Sequence, residues 1–176
     1  MIIPRGFAFI AIFDVTPVTD SIGGTLGFIE NYWNTATMMR FIEEIVSVAG
    51  ELERDLGKRI HLCLKPKRDY NPKTHDPRYI TLIRRLTEEQ RAIQLIPFGF
   101  NMYSLLAKTD VAIVIPNSSP AYVADYMGVP AIYFDPTQEL FPSFDPAPHI
   151  SFASGRAELA QRLKHILSPE RNLAHG

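Results

Sequence analysis

Two apolar runs constrain what this chain can fold into more than any other feature. Gly6 to Phe13 (GFAFIAIF) and Val111 to Ile115 (VAIVI) are continuous and uncharged. Such runs suit strands buried on both faces, which need helices packed above and below them. The intervening sequence supplies those helices. From Ala36 to Leu56, apolar residues recur at Met38, Met39, Phe41, Ile42, Ile45, Val46, Ala49, Leu52 and Leu56. That is the 3.6-residue period of a long amphipathic helix, with Thr35 as its expected N-cap and Gly57 just past its end.

The alternation continues along the chain. Arg59 to Leu64 reads as a second strand, and Pro77 to Glu89 as a helix with Asp76 as N-cap and Pro77 at its first position. Ala92 to Ile96 is a third strand and Met102 to Lys108 a short helix. The fourth strand is Val111 to Ile115. A helix from Pro120 to Met127 follows, capped by Ser118 or Ser119 and stopped by Gly128. Ala131 to Phe134 is a fifth strand, Ile150 to Phe152 a sixth, and Arg156 to Leu167 a last amphipathic helix. Strands alternating with helices predict βαβ units, hence an α/β fold of three layers around a parallel sheet of about six strands. No repeat or linker divides the chain, so residues 1–168 are expected to form one domain and 169–176 a frayed tail. Residues 14–34 are the awkward stretch, with Gly23, Gly24, Gly27, Tyr32 and Trp33. A loop that long is often functional; otherwise it is a structural excursion or a contact with missing protein.

Composition excludes several classes. With 46% hydrophobic and 21% charged residues, the chain is neither disordered nor fibrous. At 176 residues it can bury roughly two-thirds of its unfolded surface without a disulfide or a metal. The one cysteine, Cys63, lies in an apolar strand and reads as core. The longest apolar run, about eight residues, is too short to span a bilayer. No signal peptide is read at the start. The chain is therefore expected in the cytoplasm, at most peripheral to the inner face of the membrane.

The net charge of −1 hides polarity along the chain. Residues 58–91 carry ten basic and four acidic side chains, a local +6, while no Lys or Arg occurs between Lys108 and Arg156. A nucleic-acid binder is expected to be basic overall, so none is predicted. A basic segment inside a neutral chain suits a small anion such as a phosphate, or is simply a solvated face.

In open parallel sheets, ligands lie outside the carboxyl ends of the strands. There the sequence puts Asp14-Val15-Thr16-Pro17, Lys65-Pro66-Lys67-Arg68, Pro97-Phe98-Gly99-Phe100-Asn101, Pro116-Asn117-Ser118-Ser119-Pro120 and Asp135-Pro136. Ser118 and Ser119, beside Asn117, join a buried strand to a helix start. Free helical N–H groups and small hydroxyls there would receive a phosphate; alternatively the serines only cap the helix. Lys65, Lys67 and Arg68 should reach the same rim from two strands away, or lie in a solvated turn. Asp14 and Asp135, at strand ends, would bind a sugar or ribose hydroxyl or cap a turn. No P-loop or dinucleotide fingerprint occurs. The five histidines show no metal spacing, so no metal is predicted. Among them His149 is a candidate for the rim. A Ser119, His149, Asp135 triad can be drawn, but the serine elbow it requires is missing.

One segment resembles a known family. The run Thr109-Asp110-Val111-Ala112-Ile113-Val114, then Ser118-Ser119, then Gly128-Val129-Pro130-Ala131-Ile132-Tyr133-Phe134-Asp135 is similar to the C-terminal half of GT-B glycosyltransferases. With Phe13-Asp14-Val15-Thr16-Pro17 and Lys65-Pro66-Lys67-Arg68, it resembles proteins assigned to bacterial surface-carbohydrate biosynthesis, such as capsule and O-antigen. The similarity spans roughly residues 6–167. It implies a Rossmann-like domain that grips a nucleotide-sugar donor, with Ser118 and Ser119 on phosphate and Lys65-Pro66 standing where some relatives have His-Pro. Many relatives carry a Glu shortly after the serine pair; here Tyr122 and Val123 stand there, and the nearest acid is Asp125. The resemblance also implies a second Rossmann-like half, supplied before Met1 or by a partner, which Phe28 to Trp33 would face. No cofactor is implied beyond the nucleotide-sugar substrate. The leading expectation is thus the donor-binding half of a glycosyltransferase, with no general base in this chain, which alone would be inactive. The alternatives are a sugar-nucleotide epimerase of GT-B architecture and a non-catalytic assembly domain of a polysaccharide-synthesis complex.

Overall fold

The computed structural model describes residues 6–17, 32–140 and 147–168. The glycines at 23, 24 and 27, the segment from Phe28 to residue 31 and the tail after 168 lie outside them.

Six strands form one parallel sheet: β1 (Phe7–Phe13), β2 (Arg59–Lys65), β3 (Gln94–Leu95), β4 (Val111–Val114), β5 (Ala131–Asp135) and β6 (Ile150–Ser154). Their spatial order is β3-β2-β1-β4-β5-β6. The two runs that constrained the fold, β1 and β4, are central neighbours, with Ile10 opposite Val111 and Phe13 opposite Val114. On its other side β1 pairs with β2 over its whole length, Phe7 opposite Arg59 and Phe13 opposite Lys65. The helices are α1 (Thr35–Leu56), α2 (Pro77–Arg84), α3 (Met102–Leu106), α4 (Pro120–Tyr126) and α5 (Gly155–Leu167).

Alternation along β1 divides its side chains between two cores. Ala8, Ile10 and Ile12 face a cluster with Phe41, Ile42 and Ile45 of α1, Tyr79 and Ile83 of α2, and Leu159 and Leu163 of α5. Ala11 and Phe13 face a second cluster with Leu105 and Leu106 of α3 and Ala121 and Ala124 of α4. This is the three-layer, Rossmann-like α/β architecture that the sequence predicts.

Element boundaries differ in ways the local chemistry explains. Thr35 does not cap α1; Asn34 does, its side chain accepting the Thr37 N–H at 2.9 Å. Thr35 is the first helical residue, and its hydroxyl donates to Asp76 at 2.8 Å. Asp76 caps α2 as expected. Past Arg84, however, the helix widens into a π turn over Arg85–Glu89, and the Ala92 and Ile93 N–H groups fold back onto the Leu86 carbonyl. Those bonds take Ala92 and Ile93 out of the ladder, so the expected five-residue strand shrinks to Gln94 and Leu95, with the Ile96 N–H still donating to the Leu64 carbonyl of β2 at 2.8 Å. Gly57 and Gly128 end their helices at φ 59° and 70°, backbone that glycine adopts at little expense.

Candidate functional site

The strand order reverses between β1 and β4, because the chain leaves β1 toward β2 and β3 and returns on its other side. The carboxyl ends of two neighbours whose connections diverge cannot both be covered, so a crevice opens there. Here it is a cleft of about 690 Å³, within the range of small-molecule sites. Phe13, Asp14 and Val15 from the end of β1 line it. Lys65, Pro66 and Lys67 come from β2, and Ile115 to Pro120 from the end of β4. Trp33, Phe100 and Met102 add an apolar wall.

The segment after β4 is a tight turn. Asn117 takes φ 64°, left-handed backbone that asparagine tolerates better than most residues. The Ser118 N–H and hydroxyl both donate to the Ile115 carbonyl, at 3.2 and 2.8 Å. From behind, the buried Tyr133 hydroxyl donates to the Ser118 carbonyl at 3.3 Å, with the Tyr122 hydroxyl beside it. Neither serine caps α4 through its side chain. Ser119, at the cap position, has helical backbone and no side-chain cap bond.

The free helix start expected here is therefore not what this turn offers. Helix α4 has seven residues and begins with a proline, which has no N–H. The Ala121, Tyr122 and Val123 N–H groups already donate to the Ser118 and Ser119 carbonyls. What the turn presents to the cleft is the exposed Ser119 hydroxyl and the Asn117 side chain.

The three cations of the second turn separate. Lys65 Nζ donates to the Phe98 carbonyl, across the gap to the β3–α3 connection. Partial burial lowers its pKa, and the nearby Asp14 charge opposes that shift. Lys67 is exposed and lines the cleft; its backbone N–H donates to Asp14 at 3.1 Å. Arg68 is exposed but does not line the cleft. Its charge adds to burial in depressing the His75 imidazole.

The carboxylates are dispersed as well. Asp14 is 4% exposed and accepts the Tyr79 hydroxyl at 2.7 Å, while the buried Tyr70 hydroxyl lies near it without a hydrogen-bond partner. Burial pushes the Asp14 carboxyl up to about 6 against the pull of its hydrogen bonds. Asp135 does not line the cleft. Its oxygens are occupied by Tyr32, by Thr137 through N–H and hydroxyl at 2.9 and 2.8 Å, and by the Leu140 N–H at 2.8 Å. Burial raises its pKa, but those bonds outweigh burial and hold it below the ordinary value. It braces a turn and is fully buried away from the cleft, out of reach of a sugar there. Asp125 accepts the His149 N–H at 2.8 Å, and the His149 carbonyl accepts from Ala131, the first residue of β5. Both residues therefore lie at the amino edge of the sheet, opposite the cleft. This removes Asp125 from hydroxyl binding in the cleft, His149 from the rim, and the drawn triad altogether.

The structure thus joins Asp14, Lys65, Lys67, Asn117, Ser118 and Ser119, and leaves out Arg68, Asp125 and Asp135. Sequence reasoning missed Trp33 as a cleft wall and Tyr79 as the partner of Asp14. An aromatic residue on a periodic helix face reads as core, and Tyr79 is core except for its hydroxyl. Among the described residues no group of three His, Cys, Asp or Glu could hold a metal, and no helix is long and apolar enough to cross a membrane.

A family model for polysaccharide biosynthesis PFTS motif proteins matches residues 3–163. The chain belongs to that family. No curated protein sequence matches this family member. Among solved structures it is similar to a protein assigned as a UDP-N-acetylglucosamine 2-epimerase from Listeria monocytogenes, over 94% of this chain, with TM-score 0.52 and 12% identity. The match takes in 38% of that protein's chain, so the present chain spans well under half of its neighbour's length. At such identity the likeness shows the Rossmann-like fold. An NAD binding oxidoreductase from Klebsiella pneumoniae aligns over 92% of this chain and 32% of its own, at 11% identity and TM-score 0.38, a likeness too slight to argue from.

Proposed function

We propose that this PFTS-family chain is the donor-binding half of a sugar-nucleotide-dependent glycosyltransferase of bacterial surface polysaccharide synthesis. One observation carries the reading: the cleft at the β1/β4 switch point is lined on one side by the Asn117-Ser118-Ser119 turn and on the other by Lys65 and Lys67. Hydroxyl, amide and ammonium donors converging on one space suit the diphosphate of a nucleotide-sugar. Trp33 and Phe100 give its planar base an apolar wall. We also read Pro116-Asn117-Ser118-Ser119 as this chain's form of the family's named tetrapeptide. Its Pro and final Ser coincide with those letters, and of the chain's tetrapeptides that begin with proline it alone has hydroxyls at both last positions.

The chemistry assigned to these residues is electrostatic. Lys67, Lys65 once released from Phe98, and the Ser119 hydroxyl would stabilise negative charge developing on the leaving phosphate. No general base is assigned, because the one carboxylate of the cleft, Asp14, is already bonded from behind. The acceptor and the base then belong to a second half or a partner, and this chain alone binds donor without turning it over.

Calorimetric titration with nucleotide-sugars tests the reading. Binding is expected, and Ser119→Ala and Lys67→Ala should each weaken it by roughly tenfold, the loss of one hydrogen bond to a charged group. Lys65→Ala should weaken it as well. A folded chain that binds none of them, or variants that bind like wild type, would refute it. The Listeria neighbour's assignment favours a second reading, a sugar-nucleotide epimerase. That reading requires acid and base groups at the sugar, and product analysis with nucleotide-sugar alone separates the two.

A further inference from the structure

Asp14 is in an unusual position for a carboxylate. It lines the cleft proposed for an anionic donor, yet it is 4% exposed and its bonds come from neutral donors. The Lys67 N–H reaches one oxygen at 3.1 Å and the Tyr79 hydroxyl the other at 2.7 Å. Among the described residues it forms no ion pair. An asparagine would brace the same N–H without bringing a negative charge to the space that an anion has to enter.

We propose that anions bind in this cleft together with a proton: Asp14 takes up one proton from solvent as the ligand enters, so affinity rises as the medium becomes mildly acidic. The inference rests on the donor-binding reading and adds its regulation. The proton bound by the carboxylate cancels the like charge facing the phosphates, which leaves Lys65 and Lys67 unopposed.

The groups that face Asp14 support this. From the end of β2 comes Lys65, whose pKa the Asp14 charge raises, and from the turn after it Lys67, which also lines the cleft. From the segment after β2 comes Tyr70, and from α2 comes Tyr79. Burial and the Asp14 charge keep both hydroxyls protonated and neutral, and Tyr79 donates to the carboxylate. From the end of β4 come Asn117 and Ser118, which are neutral. With the carboxyl titrating at about 6, its protonated fraction rises from roughly 3% at pH 7.5 to roughly three quarters at pH 5.5. A ligand that binds the protonated form alone would therefore bind up to about 25-fold more tightly at the lower pH.

The test is titration calorimetry with a panel of uridine, guanosine, thymidine and cytidine nucleotide-sugars, whose esterified phosphates keep a constant charge across this range. Each is run between pH 5.5 and 7.5 in buffers of different ionisation enthalpy. Expected are a tightening of at least fivefold toward pH 5.5 and proton uptake that grows from about a quarter of one proton at pH 5.5 toward one at pH 7.5. Asp14→Asn should bind with no uptake and a flat pH profile. Tyr79→Phe removes one donor to the carboxylate and should move the profile to higher pH, which guards against a misfolded Asn variant. Binding that changes less than twofold with pH, or uptake that persists in Asp14→Asn, overturns the inference and leaves the donor reading standing. No binding of any member at any pH by folded protein overturns both.

Discussion

Replacing Asp14 by asparagine should flatten the pH dependence of stability between pH 4 and 7, because the folded chain resists charging this side chain. Folding moves its carboxyl from 3.8 to about 6, with burial as the cause. A carboxyl raised on folding favours the folded state while it is protonated. That contribution is full below about pH 4, is lost as pH rises through about 6, and is absent above. A shift of roughly two units at about 1.4 kcal/mol each makes the whole span about 3 kcal/mol. Between pH 4.5 and 7 the expected loss in wild type is about 2 kcal/mol. The Asn variant keeps the Lys67 contact through its carbonyl oxygen and can turn its amide toward Tyr79, so it should show none of that loss. The assay is urea unfolding of both proteins across this range, reading the difference in unfolding free energy between variant and wild type. Taking the difference cancels every other titrating group. It should grow by about 2 kcal/mol in favour of the variant from pH 4.5 to 7 and stay level above. A difference that stays constant within about 0.5 kcal/mol would show that Asp14 is not held against ionisation, and the burial argument would fall.

Other outcomes follow from single contacts. Asp76 holds the Arg78 N–H at 2.8 Å, the Thr35 hydroxyl at 2.8 Å and the Arg78 guanidinium at 2.7 Å, so Asp76→Ala should cost about 2–3 kcal/mol in urea unfolding, a cap plus a stranded hydroxyl. The Arg78 bonds outweigh burial and hold its carboxyl down to about 2, so its contribution is present above about pH 4 and disappears as pH falls through 2, the opposite direction from Asp14. Gly128 has φ 70° and open space around an added Cβ, so Gly128→Ala should cost about 1 kcal/mol through backbone conformation alone, measured as a shift in the unfolding midpoint. Cys63 is 7% exposed and burial raises its thiol pKa, so a thiol reagent should label the native chain slowly and at the rate at which it opens.

Strand count and type were legible because the chain's strongest signals are local. The runs at β1 and β4 have no polar residue to turn toward water, and proline and glycine mark the helix ends where the structure has them. Spatial order was not legible, since any βαβ unit can step either way along a sheet. The rim was partly legible for the same reason that it exists: a residue just after a parallel strand must lie at the carboxyl edge, as Asp14, Lys65 and Asn117 do. That rule also works in reverse. His149 precedes its strand, so it belongs to the amino edge. Asp125 lies six residues past Ser119 on a helix running back along the sheet, roughly 9 Å from the rim at 1.5 Å per residue. What no local pattern contains is the direction a long side chain takes. Lys65 turns to the Phe98 carbonyl and the Tyr79 hydroxyl to Asp14, contacts between residues 33 and 65 positions apart.

The charge pattern divides differently once these contacts are known. Of the ten cations in residues 58–91, Arg78 pairs with Asp76 and Arg85 with Glu43, and only Lys65 and Lys67 line the cleft. Against them stands the Asp14 carboxylate, so above pH 6 the lining carries a single net positive charge. One partly exposed lysine pair is screened over about 8 Å at physiological ionic strength and cannot by itself hold a dianion with useful affinity. Any donor bound here must therefore draw most of its affinity from groups insensitive to salt: the Ser119 hydroxyl, the Asn117 amide and the apolar wall of Trp33 and Phe100. A cleft built this way discriminates by shape more than by charge, and its electrostatic share is the part that the proton on Asp14 can change.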